Sequence, residues 1–462
     1  MRYISTRGAA PVRDFAGVLL AGLAEDGGLY MPESWPRLDL ASLRGLPYAE
    51  LAAKVIQPFV GDWLSPARLF ALCRDAYDGF GHPAVVPLVQ LDSGLWAMEL
   101  FHGPTLAFKD LAMQLLGRFF DEALRREGKR VTIVGATSGD TGSAAIEACR
   151  DRASLNVVIL HPTGRTSEVQ RRQMTTVLSP NIGNLAVTGT FDDCQDLVKA
   201  MFADVPFREA MRLAAVNSIN WARVAAQIPY YVAASLALGA EDRPVDFAVP
   251  TGNFGNVLAA WAAKRMGAPV GRLVVASNRN DILARFLAAN DMSVRPVEPS
   301  LAPSMDIQVS SNFERLLFEL LDRDAAGTAA TVHAFREAGH MPVPDESWRR
   351  ATAEFAGFAL DDQGTSAEMR RLWAQGYLAD PHTAIGTAAA RARVQPGTPV
   401  VVAATAHPAK FPDAVEAATG IRPALPPRLA DLYDRPERFT LVPARLDLVE
   451  AQVRALSHRN AA

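Results

Sequence analysis

Lys109 lies in an apolar stretch in which its amine could act as a nucleophile. Leu106, Phe108 and Leu111 flank it, and the turn Gly103-Pro104-Thr105 comes before them. An amine that is desolvated among apolar side chains loses proton affinity and attacks carbonyl groups more readily. A lysine that extends from the start of a surface helix would have similar neighbours, so this stretch alone leaves both interpretations open.

A glycine-rich loop, Gly135-Ala-Thr-Ser-Gly-Asp-Thr-Gly142, follows the predicted strand Val131–Val134 and precedes the predicted helix Ser143–Arg150. N–H groups at a helix start attract anions. The chain lacks the tyrosine and lysine pair of short-chain dehydrogenases and the Gly-Lys-Ser/Thr sequence of a Walker A loop. The loop therefore either binds a ligand or is a tight structural turn. Its hydroxyl groups belong to Thr137, Ser138 and Thr141.

A second loop, Thr251-Gly-Asn-Phe-Gly-Asn256, lies between the predicted strand Val245–Val249 and the predicted helix Val257–Gly267. It offers backbone N–H groups and two side-chain amides but no positive charge, which suits a phosphate held by dipoles alone. Both loops follow the carboxyl ends of strands, where open parallel sheets bind ligands.

Two further segments carry polar side chains. Asn217, Ser218 and Arg223 could form a charged anion site, because a guanidinium binds phosphate bidentately. The alternative is a helix that is capped by Asn220 and carries an exposed arginine. Thr405 ends a predicted buried strand, where its hydroxyl group either meets a ring nitrogen or simply marks the strand end.

These groups together fit one ligand, an aldehyde-bearing phosphorylated heterocycle. A lysine amine forms an imine with the aldehyde, a neutral loop holds the phosphate, and a hydroxyl group meets the ring nitrogen. The separate loop rich in hydroxyl groups would bind a substrate carboxylate. This is the chemistry of pyridoxal 5'-phosphate, in which the cofactor takes up electrons and the protein sets the geometry.

The elements that must position these residues alternate between strand and helix over residues 86–289. This alternation predicts an α/β fold with mostly parallel sheets and helices on both faces. Residues 381–462 are expected to belong to the same region, with a smaller domain of roughly 110–235 inside it. Residues 1–85 are predicted to form a mainly helical domain, and residues 290–380 a mainly helical insertion.

Apolar periodicity predicts one continuous helix over Val224–Ala237 and another over Asp345–Leu360. The tail from Arg422 to Arg445, rich in Pro and Arg, is expected to pack over the surface.

Composition excludes several classes of protein. A net charge of −3 gives no electrostatic basis for binding nucleic acid or an anionic membrane. Three cysteines, far apart in the chain, exclude a disulfide framework. No run approaches the roughly 18 apolar residues of a membrane span, and the N-terminal residues lack a signal-peptide pattern. A cytoplasmic location is expected, and no His and carboxylate spacing predicts a metal.

Six segments resemble threonine synthases, which are fold type II pyridoxal-phosphate enzymes. The motif Gly-Pro-Thr-x-x-Phe-Lys-Asp is quite specific, and the first two segments are similar to the longer bacterial and fungal branch. The resemblance implies two parallel-sheet α/β domains with the cofactor between them. The segments are Tyr3-Ile-Ser-Thr-Arg-Gly8, Gly22-Leu-Ala-Glu-Asp-Gly-Gly-Leu-Tyr30, Leu100-Phe-His-Gly-Pro-Thr-Leu-Ala-Phe-Lys-Asp110, Ala136-Thr-Ser-Gly-Asp-Thr-Gly142, Asn217-Ser-Ile-Asn-Trp-Ala-Arg223 and Thr251-Gly-Asn-Phe-Gly-Asn256.

The resemblance implies conversion of O-phospho-L-homoserine and water to L-threonine and phosphate by β,γ-elimination and hydration. Lys109 would hold the cofactor covalently and, once freed, move protons at Cα and Cβ of the substrate. The other cofactor-binding residues implied are Gly252, Asn253, Phe254, Gly255, Asn256, Thr405 and Asp140. Those implied for the substrate phosphate are Thr137, Asn217, Ser218 and Arg223, and those for its carboxylate are Ser138 and Thr141.

Asp140 departs from the wider fold type, in which many relatives have Asn, and the sequence leaves its partner open. Three alternatives are also open. One is a related lyase that eliminates phosphate without forming threonine, and another is a serine or threonine dehydratase on the same fold. The third is a cofactor-binding sensor without activity, which the presence of Lys109 disfavours. Either a monomer or a homodimer is expected.

Overall fold

A computed structural model describes residues 1–137, 139–238, 243–395 and 397–459. The strands are β1 Tyr3–Ser5, β2 Tyr30–Pro32, β3 Leu88–Asp92, β4 Leu95–Glu99, β5 Val131–Ala136, β6 Leu155–Pro162, β7 Ile182–Thr188, β8 Leu213–Ala214, β9 Val245–Pro250, β10 Val270–Ser277, β11 Phe355–Ala359, β12 Val400–Ala404 and β13 Thr440–Pro443.

The helices up to residue 238 are α1 Phe15–Ala21, α2 Tyr48–Val60, α3 Pro66–Tyr77, α4 Lys109–Glu127, α5 Asp140–Cys149, α6 Glu168–Thr175, α7 Phe191–Ala203, α8 Val205–Met211, α9 Trp221–Ala225 and α10 Ile228–Ala237. The helices from residue 243 onward are α11 Gly255–Arg265, α12 Ile282–Ala289, α13 Phe313–Leu320, α14 Ala325–Ala338, α15 Asp345–Glu354, α16 Asp362–Ala374, α17 Pro381–Arg391, α18 Pro412–Thr419 and α19 Leu446–Arg459. None of the helices in these ranges is long and apolar enough to cross a lipid bilayer.

The larger sheet has six strands in the order β11-β10-β9-β12-β4-β3. Its pairs are parallel except for β3, which runs antiparallel to β4 at one edge. All five residues of the central strand β12 are buried, as expected for a parallel strand that helices cover on both faces. The carboxyl ends of β9 and β12 therefore open at the same edge of the sheet, where the second glycine-rich loop and Thr405 follow them.

The smaller sheet has five parallel strands in the order β13-β7-β6-β5-β8. Strand β6 at its centre is buried along all eight residues, and the first glycine-rich loop follows its neighbour β5. Two mostly parallel sheets agree with the prediction from the alternating pattern. Strands β1 and β2 form a separate two-stranded antiparallel ribbon.

Two helix predictions are wrong in part. The predicted helix Val224–Ala237 is two helices, α9 and α10, because Pro229 in the first turn of α10 cannot donate the backbone hydrogen bond that a continuous helix needs. The predicted helix Asp345–Leu360 ends at Glu354. Its last residues form β11, which pairs in parallel with the edge of β10.

The expectation for the tail is also wrong in part. Strand β13 extends the smaller sheet beside β7, and α19 packs on that sheet. Val442, Val449, Val453 and Leu456 are buried in one cluster with apolar residues of β6 and β7. The last strand of the predicted tail and the helix after it thus complete a core, while residues 422–439 are mostly exposed or half-buried, as expected. The predicted domain boundaries stay a prediction.

Candidate active site

Lys109 begins α4 and is held beside the end of β12. The preceding residue, Phe108, donates its backbone N–H to the carbonyl oxygen of Thr405 at 2.8 Å. Leu106 adopts the left-handed conformation with φ of +64°, which turns the chain into the helix. The predicted nucleophile and the predicted ring-nitrogen partner therefore lie on neighbouring segments of backbone.

Helix α5 begins at Asp140 and packs closely against α4. A Cβ atom at Gly117 of α4 would lie only 2.5 Å from the carbonyl oxygen of Ala148 in α5. The two helix starts meet, and Lys109 Nζ lies 2.9 Å from Asp140 Oδ2. Burial, together with the charges of Lys410 and Arg223, lowers the pKa of Lys109, although Asp140 acts to raise it. The amine is thus prepared to lose its proton.

Asp140 has three further partners. Lys410 Nζ lies 3.0 Å from Oδ1, and Gln170 Nε2 donates to the same oxygen at 2.8 Å. Ser304 Oγ donates to Oδ2 at 3.2 Å. Burial alone would raise the pKa of Asp140, but the ammonium groups of Lys109 and Lys410, together with Gln170, bring it well below its ordinary value. Asp140 is therefore an ionised carboxylate between two amines.

Sequence reasoning did not place Lys410, Gln170 or Ser304 in the site. One signal did point to Lys410, because lysine is rare in this chain and this one follows Thr405 by five residues. Gln170 and Ser304 have no such signal. Ser304 belongs to the segment that was predicted to be a helical insertion, and only the fold brings it to Asp140.

The second loop forms a nest of donors at the start of α11. Phe254 has φ of +62°, a left-handed residue that aims successive N–H groups into one concavity before the helix begins at Gly255. Asn256 Oδ1 accepts from the hydroxyl groups of Tyr230 and Tyr231, both at 2.6 Å. Its Nδ2 is buried and has no acceptor among the described residues. These donors fit a phosphate and carry no positive charge.

The rim of this nest is closed by the segment before α13. A Cβ atom at Gly252 would lie 2.8 Å from the carbonyl oxygen of Ser304. Asn312 Nδ2 donates to the carbonyl oxygens of Asn253, at 3.0 Å, and Ser218, at 3.2 Å. One amide thus joins the second loop to the predicted anion segment, and sequence reasoning missed it.

Arg223 lies buried in α9, so the expectation of an exposed arginine is excluded. Its Nη1 donates to the carbonyl oxygen of Val216 at 2.9 Å, and its Nε has no acceptor among the described residues. Burial lowers the pKa of Arg223 to about 10. Its charge is close enough to contribute to the lowered pKa of Lys109. A buried guanidinium of this kind fits an anion next to the amine.

The remaining predicted site residues differ in their contacts and in their exposure to solvent. Thr137 Oγ1 accepts from the N–H groups of Gly139 and Gly142, each at 3.0 Å, so this oxygen shapes its own loop. Ser138 lies outside the described residues. The other positions differ in exposure: Thr405 is buried, Thr141 and Ser218 are half-buried, and Asn217 is exposed.

Three family models match the chain in succession. Residues 2–77 match "Threonine synthase N terminus", and residues 81–338 match "Pyridoxal-phosphate dependent enzyme". Residues 383–453 match "Threonine synthase, C-terminal". These matches follow the same order as the segments that carried the resemblance.

Individual relatives agree with the family models. The chain is 54% identical to threonine synthase of Pseudomonas aeruginosa, covering 98% of both chains, and 38% identical to threonine synthase-like 2 of Homo sapiens, covering 96% of this chain and 94% of that one. The crystal structure of PLP-bound threonine synthase from Brucella melitensis superposes with a TM-score of 0.98 at 49% identity and covers all of both chains. The predicted fold type II architecture is confirmed, and the chain belongs to the threonine synthase family of pyridoxal-phosphate-dependent enzymes.

Proposed function

We propose that the protein converts O-phospho-L-homoserine and water to L-threonine and phosphate, as a carbon–oxygen lyase that uses pyridoxal 5'-phosphate. The observation that carries the proposal is a buried lysine of lowered pKa near a buried guanidinium that has no carboxylate partner among the described residues. The lysine suits covalent attachment of an aldehyde, and the guanidinium suits a phosphate on the substrate.

Lys109 would hold the cofactor covalently, and Gly252, Asn253, Phe254, Gly255 and Asn256 would hold its phosphate. The free Nδ2 of Asn256 and the nest at the start of α11 support this assignment. Thr405 is proposed to face the ring nitrogen and Asp140 to lie near the attachment point. When bound, the cofactor withdraws electrons from the substrate and thereby makes its Cα–H and Cβ–H acidic.

The chain's own residues would do the rest of the work. Lys109, once freed, is proposed to take and return protons at Cα and Cβ, and its lowered pKa favours the neutral amine that takes a proton. Arg223 would stabilise the departing phosphate, with help from Thr137, Asn217 and Ser218. The substrate carboxylate is assigned to Ser138 and Thr141.

A neutral cradle for one phosphate and a charged clamp for the other have a physical reason. The cofactor phosphate stays bound through every turnover, so dipoles suffice to hold it. The substrate phosphate must leave with its bonding electrons, and a guanidinium stabilises the negative charge that develops on it.

The second candidate is a lyase that releases phosphate without forming threonine. The similarity to threonine synthase-like 2 of Homo sapiens keeps this candidate under test, because loss of phosphate comes before addition of water. A serine or threonine dehydratase is disfavoured, since its substrates carry no phosphate to pair with Arg223. A cofactor-binding sensor is disfavoured because Lys109 is present and activated.

Product analysis separates these functions. Purified protein loaded with cofactor should release phosphate and threonine in equal amounts from O-phospho-L-homoserine. Phosphate with 2-oxobutyrate would instead identify the lyase, and turnover of serine without turnover of the phosphorylated substrate would contradict the proposal. Lys109→Ala should lose both the near-visible absorption band of the lysine-linked cofactor and all turnover. Lys264→Ala, remote from the site, should keep both and serves as the matched control.

A cytoplasmic location and a monomeric or homodimeric assembly belong to the same proposal. All three cysteines are buried free thiols, which suits a reducing compartment. Light scattering of the loaded protein checks the assembly, and a mass above that of a dimer would contradict it.

A further inference from the structure

Lys410 is a fully buried lysine outside the assigned machinery. Its side chain has 0% exposure, and its ammonium group has three oxygen partners. It forms an ion pair with Asp140 Oδ1 at 3.0 Å and donates hydrogen bonds to the carbonyl oxygen of Thr105 at 2.7 Å and to Gln173 Oε1 at 3.1 Å. Lysine is almost never fully buried unless it is paired in this way.

More positive charge surrounds Asp140 than Lys109 alone supplies. Its two oxygens face two ammonium groups, and Arg223 adds a third positive charge nearby. The other carboxyl group facing Lys410 is Asp110, whose oxygens accept from the backbone N–H and the hydroxyl group of Thr105, both at 2.7 Å. Of the two lysines beside Asp140, Lys109 is assigned to the reaction and Lys410 is not.

We propose that Lys410 is the permanent counter-ion of Asp140, a positioning residue that keeps this carboxylate ionised while Lys109 changes its charge. The inference rests on the proposed attachment of the cofactor at Lys109. Whenever Lys109 becomes neutral, Asp140 would otherwise be a buried carboxylate without an ion-pair partner, which is strongly unfavourable. Lys410 removes that cost, so that Lys109 can give up its proton.

Lys410 also contacts the turn before Lys109, but another residue duplicates that contact. Gln173 Nε2 donates to the same carbonyl oxygen of Thr105 at 3.0 Å. Removal of the ammonium leaves the turn with a donor but leaves Asp140 with Lys109 as its single charged partner. The charge of Lys410 and its anchoring contact can therefore be separated by experiment.

Lys410→Met tests the charge in the cofactor-loaded protein. Without Lys410, Asp140 pairs with the nitrogen of Lys109 alone and favours its protonated form. The pH titration of the absorption band should therefore shift upward by about one unit. We expect kcat to fall at least tenfold with a KM change below threefold, since substrate contacts remain. Lys264→Met is the matched control, because Lys264 also bonds a backbone carbonyl oxygen and a carboxylate, far from the site.

A second pair of variants tests whether the shift acts through Asp140. In an Asp140→Asn background only the direct repulsion between the two lysines is left, so adding Lys410→Met should move the titration less than half as far as it does beside Asp140. An equal shift in both backgrounds, or no shift in Lys410→Met with a wild-type band present, would overturn the inference. A wild type without any band would overturn the proposed function instead.

Discussion

Arg223 is a charged residue whose burial costs the protein free energy. A guanidinium that has no carboxylate partner among the described residues, and whose Nε has no acceptor among them, destabilises the folded state by a few kcal/mol. A residue that is selected only for stability would be apolar at this position. The cost is therefore explained by function, since an incoming phosphate supplies the missing partner.

Arg223→Met should separate stability from activity. We expect the variant to unfold at the same or a higher temperature than the wild type without ligand, because the buried charge is gone. Inorganic phosphate should raise the unfolding temperature of the wild type but not that of the variant, since only a site that binds phosphate gains stability from it. KM for the phosphorylated substrate should rise at least 100-fold, in line with the loss of about 3 kcal/mol from a charge-assisted contact.

Differential scanning fluorimetry with and without phosphate measures the unfolding temperatures, and steady-state kinetics measures KM. Arg212→Met is the control, because Arg212 is exposed and should show neither effect. Equal stabilisation of wild type and Arg223→Met by phosphate would contradict the anion site.

At the scale of residues, the sequence predicted which side chains belong to the site better than it predicted which of them contact one another. Lys109 was predicted because an amine in an apolar stretch is unusual, and Arg223 because a guanidinium near Asn217 and Ser218 suits a phosphate. The partners of Asp140 were not, because Ser304 and Lys410 reach it from distant parts of the chain. Thr137 was assigned to substrate, yet its oxygen accepts from its own loop. The contacts of Asp140 with Lys410 and Ser304 leave no local pattern in the sequence.

Gly117 sets the distance between the two helices that carry Lys109 and Asp140. Intrinsic propensity alone predicts that Gly117→Ala stabilises α4 by about 1 kcal/mol. The added Cβ atom would lie 2.5 Å from the carbonyl oxygen of Ala148, a backbone atom that cannot rotate away. We therefore expect destabilisation by about 1–3 kcal/mol and a weaker absorption band from the loaded cofactor, because the helix starts move apart.

Urea unfolding and the absorption spectrum measure the two effects of Gly117→Ala. Gly79→Ala is the control, since a Cβ atom there would meet nothing within 4 Å. If Gly117→Ala is stabilised and keeps its full band, the helix packing does not set the geometry of the site.

Elements with a strong local pattern were predicted well, and those defined by a distant partner were not. The helix after the second loop was predicted as Val257–Gly267 and lies at Gly255–Arg265, within two residues at each end. Strand β11 was predicted as the end of a helix, because its alanines and phenylalanines fit either period. Pairing with β10 makes this segment a strand, and that pairing joins segments about 80 residues apart in the sequence.

The whole molecule should lose stability in mild acid because of His407. Burial lowers the pKa of His407 to about 4, with His102 and Arg428 opposing protonation and Glu99 favouring it. Its Nδ1 accepts from the backbone N–H of Ala409 at 3.1 Å, which only the neutral ring can do. Below the unfolded-state pKa of about 6.5, the unfolded chain binds the extra proton, so stability falls as the pH falls toward 4.

His407→Asn keeps an acceptor for Ala409 and removes the titration. Between pH 7 and pH 5 the wild type should lose up to about 2 kcal/mol more of its free energy of unfolding than this variant. Urea unfolding at the two pH values measures the difference. His333→Asn, at an exposed position, should behave like the wild type. Parallel losses in wild type and His407→Asn would show that His407 is not the group responsible.

At the scale of the molecule, the two parallel sheets were predictable because their buried strands and helices alternate regularly. The return of β13 and α19 to the smaller sheet was not, since four residues of strand carry too little pattern to identify a partner more than 250 residues away.

The late pairing of β13 with β7 has a consequence for how this protein folds during its synthesis on the ribosome. Strand β7 leaves the exit tunnel with one edge open, and its partner β13 is translated only after the entire larger sheet. During that interval the open edge can pair with other nascent chains, a hazard that chaperones contain. A premature stop codon between β12 and β13 would leave β7 uncovered for good, and cellular proteases would remove the product although Lys109 and its neighbours had all been made.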